Sequence, residues 1–404
     1  MSEIIAPVSK KNRIEILDVI RGFAIFGILI ANIQSWSGYK YIPFDVMETL
    51  PYYNYNDIVK YFFMFFIDMK FYTLFSLLFG IGFYIQFNKF RDEQEPFLKT
   101  YRRRLSFLLL FGAVHAFFWS GDILFIYAFL GFILIYFRNL SNKALLLWSI
   151  FLYYIWLSYD VIFALYFPDF MNYEFTAYKT YPDVKPEELT AVFQNGTFFE
   201  VLKMNWHDVY YRYFDLIPSG RPTKVLSIFI LGFYLMSIDY FRVYAKSTKL
   251  FLIYFIGGLF FAYVSSEMGG SMAIFSHDLN NVAYKGLAAT GQVLLAMSYI
   301  HILAILDEKV SFKRFFHYFA YVGRMSFSNY LMHTLLGYLI FYPFFGGLFG
   351  TMGIVQITIL ALGLYIFQIV FSMLWLKFFA FGPLEWAWRC LSYGKIFPIK
   401  IKKK

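Results

Sequence analysis

The sequence has few charged residues and almost no cysteine. Asp, Glu, Lys and Arg make up 15% of its 404 residues, against about a quarter in ordinary soluble domains, and hydrophobic residues make up 60%. The single cysteine, Cys390, excludes an internal disulfide framework. No histidine stands four residues from another, and the chain has neither a Walker loop nor a G-x-S-x-G elbow, so we predict no metal site. This composition predicts an integral membrane protein.

The net charge of +10 does not indicate a nucleic-acid partner. In a chain this apolar, Lys and Arg usually mark cytoplasmic loops that lie beside anionic lipid. We therefore expect contacts with membrane lipids and no nucleic acid.

Hydropathy predicts an all-α polytopic membrane bundle that forms one domain over residues 1–404. Twenty-three of the 36 Lys and Arg residues fall in the segments on one side, together with both termini, so the N- and C-termini are predicted to be cytoplasmic. About ten transmembrane helices are predicted, at residues 16–36, 69–88, 103–120, 122–138, 143–166, 223–241, 249–267, 284–306, 317–344 and 353–380.

Three segments outside the spans carry further expectations. The aromatic stretch 55–66 is too short to span and predicts an interfacial or re-entrant helix. Residues 167–222 form the one long connection, which lies outside by this topology and contains an amphipathic stretch at 197–214. Residues 381–404 predict a cytoplasmic interfacial helix and a basic tail.

The first span carries a polar face. At about 100° per residue, Asp18, Arg21 and Asn32 fall within roughly 60° of one another around the helix. Polar groups inside the membrane are energetically costly and are functional candidates by default. We expect this face to line an interior that the other spans surround.

Polar residues in the spans sort into two layers when depth is estimated from the helical rise of 1.5 Å per residue. The inner layer is basic and suits a phosphorylated cytosolic ligand, because guanidinium groups bind phosphate bidentately. The outer layer contains histidines and suits proton transfer. The inner layer comprises Asp18, Arg21, Arg102, Arg103, Arg104 and Arg324, and the outer layer comprises Asn32, Lys70, His115, Asp122, Glu267, Asn329 and His333.

His115 is the strongest single candidate in the outer layer. Gly112 lies one turn before it, and Asp122 follows seven residues later at a tight turn. A carboxylate at this distance can orient an imidazole and raise its basicity, which is how a general base is held in one tautomer.

Each of these polar residues also has a structural interpretation. Asp18 and Arg21 are spaced as a neutralising pair at a helix end, and Arg102, Arg103 and Arg104 have the position of positive-inside anchors. His333, Asn32 and Asn329 have the character of packing residues that hydrogen-bond between helices. The sequence leaves both interpretations open.

Several blocks resemble the YeiB-like family of bacterial membrane proteins. The first is R-I-x-x-L-D-V-I-R-G-F-A-x-x-G-I-L-x-x-N, from Arg13 to Asn32. Others are KFYTLFSLLFGIGF, RRRLSFLLLFGAVHAFFWSGDILFIYAFLG, GRMSFSNYLMH and FGPLEWAWRCLSYGK, which begin at residues 70, 102, 323 and 381, so the resemblance covers the whole chain. The family is largely of unassigned function and is grouped with transmembrane acyltransferases such as the lysosomal heparan-α-glucosaminide N-acetyltransferase, whose first span carries a similar L-D-x-x-R-G.

The resemblance implies a multi-pass protein of the bacterial plasma membrane. It also implies that an acyl-CoA, with acetyl-CoA first among candidates, binds from the cytosol and passes its acyl group to an acceptor outside. The acceptor would be a hydroxyl or amine of an envelope glycan or lipid.

In this interpretation the basic inner layer holds the CoA phosphates, His115 is the base and Asp122 orients it. Asn32 and Lys70 polarise the thioester or hold the acceptor. Glu267, Asn329 and His333 lie on the acceptor side.

Two other functions fit the same sequence. A transporter or flippase for a small anionic or lipidic solute would need a similar polar interior. A non-catalytic subunit would use the segment GPLEWAWR as a docking helix, in which Glu385 and Arg389 are i, i+4 partners. The oligomeric state is open between a monomer and a homo-oligomer.

Overall fold

The computed structural model describes residues 14–167, 186–216, 219–269 and 279–401, which form eighteen α-helices and no strand. The first nine are α1 (Glu15–Trp36), α2 (Phe44–Glu48), α3 (Asn56–Phe62), α4 (Lys70–Lys89), α5 (Gln94–Phe118), α6 (Leu124–Leu134), α7 (Asn142–Tyr154), α8 (Leu157–Tyr166) and α9 (Pro186–Asn195). The other nine are α10 (Phe198–Leu216), α11 (Arg221–Ser237), α12 (Tyr240–Val243), α13 (Thr248–Glu267), α14 (Leu279–Asp307), α15 (Val310–Arg324), α16 (Ser326–Phe341), α17 (Ile354–Phe378) and α18 (Pro383–Tyr393).

The structure confirms the all-helical membrane architecture. Each predicted span coincides with a helix or a pair of helices. The fifth is a pair, α7 and α8, bent by 44°, and the ninth is broken at Met325 between α15 and α16. Among the described residues, five helical segments are long and apolar enough to cross a membrane, or six if the bent pair is one span. The count of ten and the cytoplasmic termini stay predictions.

The segments outside the spans form helices over part of their described length. The stretch predicted as a short interfacial or re-entrant helix forms α3 and a π-helical turn at Phe63–Ile67, which lead into α4. The amphipathic part of the long connection forms α10, and the segment after the last span forms α18. Part of the long connection, at 168–185 and 217–218, and the end of the basic tail, at 402–404, lie outside the described residues.

Local sequence sets several helix ends. The hydroxyls of Ser141 and Ser247 accept hydrogen bonds from backbone N–H groups three residues later and cap α7 and α13. α18 begins with Pro383, because the first turn needs no N–H at that position, and ends at Tyr393. It is followed by Gly394, where φ is +67°.

α1 is the central helix of the bundle. It packs against α4, α14, α15, α16 and α17, and most of its side chains are buried. The crossing with α15 is made by two glycines. A Cβ at Gly22 would lie 2.0 Å from the carbonyl oxygen of Phe319, and one at Gly323 would lie 1.9 Å from that of Asp18. The two backbones are therefore in direct contact, as small residues permit between membrane helices.

We expect Gly22→Ala to destabilise the protein, because the added methyl group must separate α1 from α15. Overpacking of this kind typically costs about 1–3 kcal/mol. The measurement is thermal unfolding in detergent, with Gly363→Ala as the matched control, because a Cβ there meets no atom within 4 Å. Equal melting temperatures for the two variants would contradict the close crossing.

Candidate functional site

A buried chain of polar contacts joins His115, Asp122 and Thr334. Asp122 lies in the turn between α5 and α6, with Oδ2 2.6 Å from Nδ1 of His115 near the end of α5. Nε2 of His115 lies 2.8 Å from the Thr334 hydroxyl on α16. The three residues are 5%, 1% and 5% exposed. The structure thus brings His115 and Asp122 together and adds a third side chain, 219 residues away from the histidine in sequence.

Asp122 sets the hydrogen-bonding pattern of the histidine. Its Oδ1 accepts the backbone N–H of Phe125 at 2.8 Å, which would otherwise be an orphan donor at the start of α6. Because the carboxylate only accepts, Nδ1 of His115 donates and Nε2 offers its lone pair to the Thr334 hydroxyl. A hydroxyl, an imidazole and a carboxylate in this order form the arrangement in which a general base is oriented for proton transfer.

Aromatic rings surround this chain of contacts. The imidazole of His115 lies edge-on to the rings of Tyr330 and Trp119, at centroid distances of 5.3 and 5.8 Å. Trp119 in turn packs on Trp36 of α1, at 4.6 Å. The Tyr330 hydroxyl accepts the backbone N–H of Ile123 at 3.2 Å. These rings exclude bulk water from the histidine, which strengthens its electrostatic interactions.

A second polar cluster joins α16 to α17. Nε2 of His333 lies 3.0 Å from the amide oxygen of Gln368, whose amide nitrogen donates to the carbonyl oxygen of Asn329 at 2.9 Å. The Asn329 amide also donates to the Ser372 hydroxyl at 2.9 Å. Nδ1 of His333 and Oδ1 of Asn329 are buried and have no hydrogen-bond partner in the described part of the chain. These contacts match the interhelical role that the sequence left open for both residues.

A cavity of about 450 Å³, the larger cavity, lies at the end of the bundle where α1 ends and α4 begins. Its described lining includes three cationic side chains and one acidic side chain: Lys40, Arg212, Arg221 and Asp68. Its polar uncharged side chains include Asn32, Gln34, Ser35 and Ser120, and its aromatic ones are Tyr41, Phe71, Tyr72 and Trp119.

A cavity of about 280 Å³, the smaller cavity, lies toward the other end of the bundle, where α1 begins and α4 ends. It has an apolar wall that includes Phe75, Leu78, Phe79 and Leu105. Its described charged side chains are four arginines and one acid: Arg21, Arg104, Arg324, Arg389 and Glu385.

One thin layer of side chains separates the two cavities. On α4, Tyr72 lines the larger cavity and Phe75 lines the smaller one, three residues or about 4.5 Å further along the helix. At the start of α6, Ile123 lines the larger cavity and the next residue, Leu124, lines the smaller one. Tyr127 on α6 connects this layer to α4, because its hydroxyl is 2.6 Å from that of Ser76.

His115 lines neither cavity, but its ring neighbours line one each: Trp119 lines the larger cavity and Tyr330 lines the smaller one.

Helix α18 closes the smaller cavity at the break between α15 and α16. Oε1 of Glu385 accepts the backbone N–H groups of Phe327 and Ser328 at 2.7 and 3.0 Å and so caps α16. Burial raises the pKa of this carboxyl above its usual value, although the same hydrogen bonds favour its charged form. The indole of Trp388 donates to the carbonyl oxygen of Arg104 at 2.9 Å, and the guanidinium of Arg104 lies 3.8 Å from the ring centroid of Trp388.

The structure places part of the predicted inner layer together. Asp18 and Arg21 form an ion pair at 2.9 Å, and Arg21, Arg104 and Arg324 all line the smaller cavity. Arg102 and Arg103 do not belong with them. Both are exposed, because consecutive residues on a helix point about 100° apart and only the third of the run faces inward.

The predicted outer layer is only partly assembled. Asn32 lines the larger cavity. Lys70 is buried but lines neither cavity, and its ammonium donates to the carbonyl oxygen of Met64. Glu267 is exposed at the end of α13, a helix that packs mainly on α14, and so it is not brought to His115.

Sequence reasoning missed several residues that the fold brings to these sites. Asp68 follows a short aromatic helix, and Arg212 lies on the amphipathic stretch that was predicted to rest on the membrane surface. Arg221 opens a span, where a cation has the usual appearance of an anchor. The sequence does carry a local signal for the break between α15 and α16, because Gly323 interrupts the helical pattern there.

Comparisons with known proteins find relatives along the whole chain. Residues 239–395 match a family described as "Protein of unknown function (DUF418)". The uncharacterized protein YxaH of Bacillus subtilis is 31% identical over 98% of this chain and 98% of its own. The uncharacterized protein YeiB of Escherichia coli is 26% identical over 93% of this chain and 95% of its own. No solved structure matches the chain.

We expect the His115 imidazole to carry its proton on Nδ1. In Asp122→Asn we expect a mixture of the Nδ1 and Nε2 tautomers, because an amide can offer Nδ1 either an acceptor or a donor. The measurement is ¹⁵N NMR of histidine-labelled protein, in which the His115 signals are identified by their loss in His115→Gln. Asp239→Asn, at an exposed carboxylate, is the control. A wild-type imidazole protonated on Nε2 alone would contradict the assignment.

Proposed function

The chain belongs to the YeiB-like family, and we propose that it is a membrane-embedded acyltransferase of the bacterial plasma membrane. It would move an acyl group, with acetyl as our first candidate, from cytosolic acyl-CoA to a hydroxyl or amine of an envelope glycan or lipid outside. The observation that carries the proposal is the buried His115–Asp122–Thr334 chain, whose aromatic neighbours separate two cavities at opposite ends of the bundle.

The chemistry of the smaller cavity suits the donor. Its four guanidiniums, from Arg21, Arg104, Arg324 and Arg389, match the phosphates of CoA, and its apolar wall matches the pantetheine arm and acyl chain. By the predicted topology this cavity faces the cytosol, where acyl-CoA is available. The thioester would then point toward the layer that contains Tyr330.

The proposed reaction requires one base. The acceptor hydroxyl attacks the thioester carbonyl carbon and passes its proton to Nε2 of His115. The new C–O bond forms as the C–S bond breaks, and the CoA thiolate takes the proton back from the imidazolium. Asp122 holds the imidazole in the required tautomer. The hydroxyl of Thr334, 2.8 Å from Nε2, occupies the position that the acceptor hydroxyl would take. Asn32, in the larger cavity, would help to hold the acceptor.

One observation favours a second candidate, a transporter for a small anion. Two cavities that contain arginines and are closed off by a single layer are also what alternating access requires. A transporter would move its solute without consuming acyl-CoA, and His115 would then matter for transport and not for a covalent step.

We expect purified protein in detergent to bind acetyl-CoA or a longer acyl-CoA saturably, and Arg104→Gln to weaken that binding by at least about tenfold, because a charge-assisted contact is lost. Arg102→Gln is the matched control, since its side chain lies two residues away and is exposed. A folded wild-type sample that binds no CoA species would refute the acyltransferase and favour the transporter.

We also expect His115→Ala to reduce acyl transfer by about 10²–10⁴-fold, the usual contribution of a general base, and to leave acyl-CoA binding unchanged. The measurement is release of free CoA and labelling of membrane acceptors from radiolabelled acyl-CoA. His317→Ala removes an exposed histidine and serves as the control. Near wild-type transfer by His115→Ala would exclude His115 as the base.

A further inference from the structure

The larger cavity contains cationic side chains that the described protein does not neutralise. Arg212 projects from α10 and Arg221 from the first turn of α11, and they lie close enough to repel each other. Burial and the charge of Arg221 lower the pKa of the Arg212 guanidinium to about 10. Nε of Arg212 is buried without a hydrogen-bond partner, and among described residues neither arginine forms an ion pair. Desolvated like charges are unfavourable unless an anion joins them.

The nearby acidic side chains whose contacts the structure describes have other partners. Asp68, the one acid in the described lining, interacts electrostatically with Lys70 and Lys40. Asp122 is near enough to Arg212 to attract it, but its two oxygens accept from His115 and from the backbone of Phe125. With respect to the side chains that the structure describes, the two arginines therefore retain donors and positive charge for a ligand.

The rest of the wall indicates what the anion is attached to. Asn32, Gln34, Ser35 and Ser120 offer donors and acceptors to hydroxyl groups, and Tyr72 and Trp119 offer flat faces. About 450 Å³ is within the range of pockets that hold small organic molecules, which is roughly 300–1,000 Å³. A simple inorganic anion would leave most of this polar wall without a partner.

We propose that the larger cavity binds a phosphate-bearing polyol, with the phosphate on Arg212 and Arg221 and the hydroxyl groups toward Asn32 and Trp119. Two guanidiniums can share the several oxygens of one phosphate, whereas one carboxylate is satisfied by a single guanidinium. Trp119 also packs against His115, with ring centroids 5.8 Å apart, so a hydroxyl placed on the cavity side of Trp119 is separated from the base by that ring. The inference rests on the proposed function only where it makes this polyol the acyl acceptor.

The test measures binding of glycerol phosphate to the purified full-length protein without acyl-CoA, by calorimetry and by the rise in melting temperature that a ligand of the folded state produces. Glycerol, which lacks the phosphate, is the matched ligand control. Wild-type protein should bind glycerol phosphate saturably and glycerol much more weakly. A second arm compares the melting temperature of the protein in nanodiscs of phosphatidylglycerol with its melting temperature in nanodiscs of phosphatidylcholine. Binding in the first arm identifies a free or polymeric glycerol phosphate, and binding in the second alone identifies a lipid headgroup.

The variant Arg212→Gln/Arg221→Gln should bind at least about tenfold more weakly. Because the substitution removes a repulsion, the ligand-free variant should melt at the wild-type temperature or above. Arg242→Gln, at a side chain that is 86% exposed, is the control. If the double variant does not fold, Arg212→Gln alone carries the same expectation.

The inference is overturned if glycerol and glycerol phosphate bind equally and the two kinds of nanodisc also give equal results. A double variant that binds like the wild type overturns it as well. A ligand-free variant that melts well below the wild type would show that the arginines stabilise the fold, which also contradicts it. Acyl-CoA binding should be unchanged in the double variant. Glycerol phosphate binding by a protein that binds no acyl-CoA would leave this inference standing and remove the proposed acyltransferase.

Discussion

The carboxylate of Asp122 is the constraint on which the rest of the site depends. It is 1% exposed and lies among aromatic rings that exclude water, so its hydrogen-bond partners come from the protein. Its two oxygens satisfy the start of α6 and the imidazole of His115, and through that ring the end of α5 is held against Thr334 on α16. The turn between α5 and α6, the orientation of the histidine and its contact with α16 therefore depend on one group.

The parts of this arrangement that sequence predicts are the local ones. The helical spans follow from apolar runs, and the contact between His115 and Asp122 follows from a seven-residue separation at a tight turn. The ion pair of Asp18 and Arg21 follows from their spacing on one helical turn. In each case the covalent chain already places the partners within a few ångströms, so no knowledge of the tertiary fold is needed.

The parts that sequence does not predict depend on how distant helices meet. Nothing in the sequence around Thr334 distinguishes its hydroxyl, and only the position of α16 brings it to the histidine. Arg212 and Arg221 have the sequence pattern of surface anchors, but in the fold both line the larger cavity. The opposite error occurs in the run 102–104, where three equal charges suggest one cluster. Helical geometry, about 100° per residue, already separates them, and only Arg104 reaches the smaller cavity.

The two cavities give the strongest physical reason to prefer transfer of a group over passage of a whole solute. Both contain more cationic than acidic side chains in their described lining, yet the layer between them consists of aromatic and apolar residues such as Phe75, Tyr127 and Leu124. An anion that crossed this layer would lose its guanidinium partners at the most apolar point of its path. An acyl group carries no charge, and Tyr72 and Phe75, which line one cavity each, lie only about 4.5 Å apart along α4. Two anionic ligands can thus stay in their own cavities while a neutral fragment passes between them, which fits a buried base at the boundary better than a continuous path.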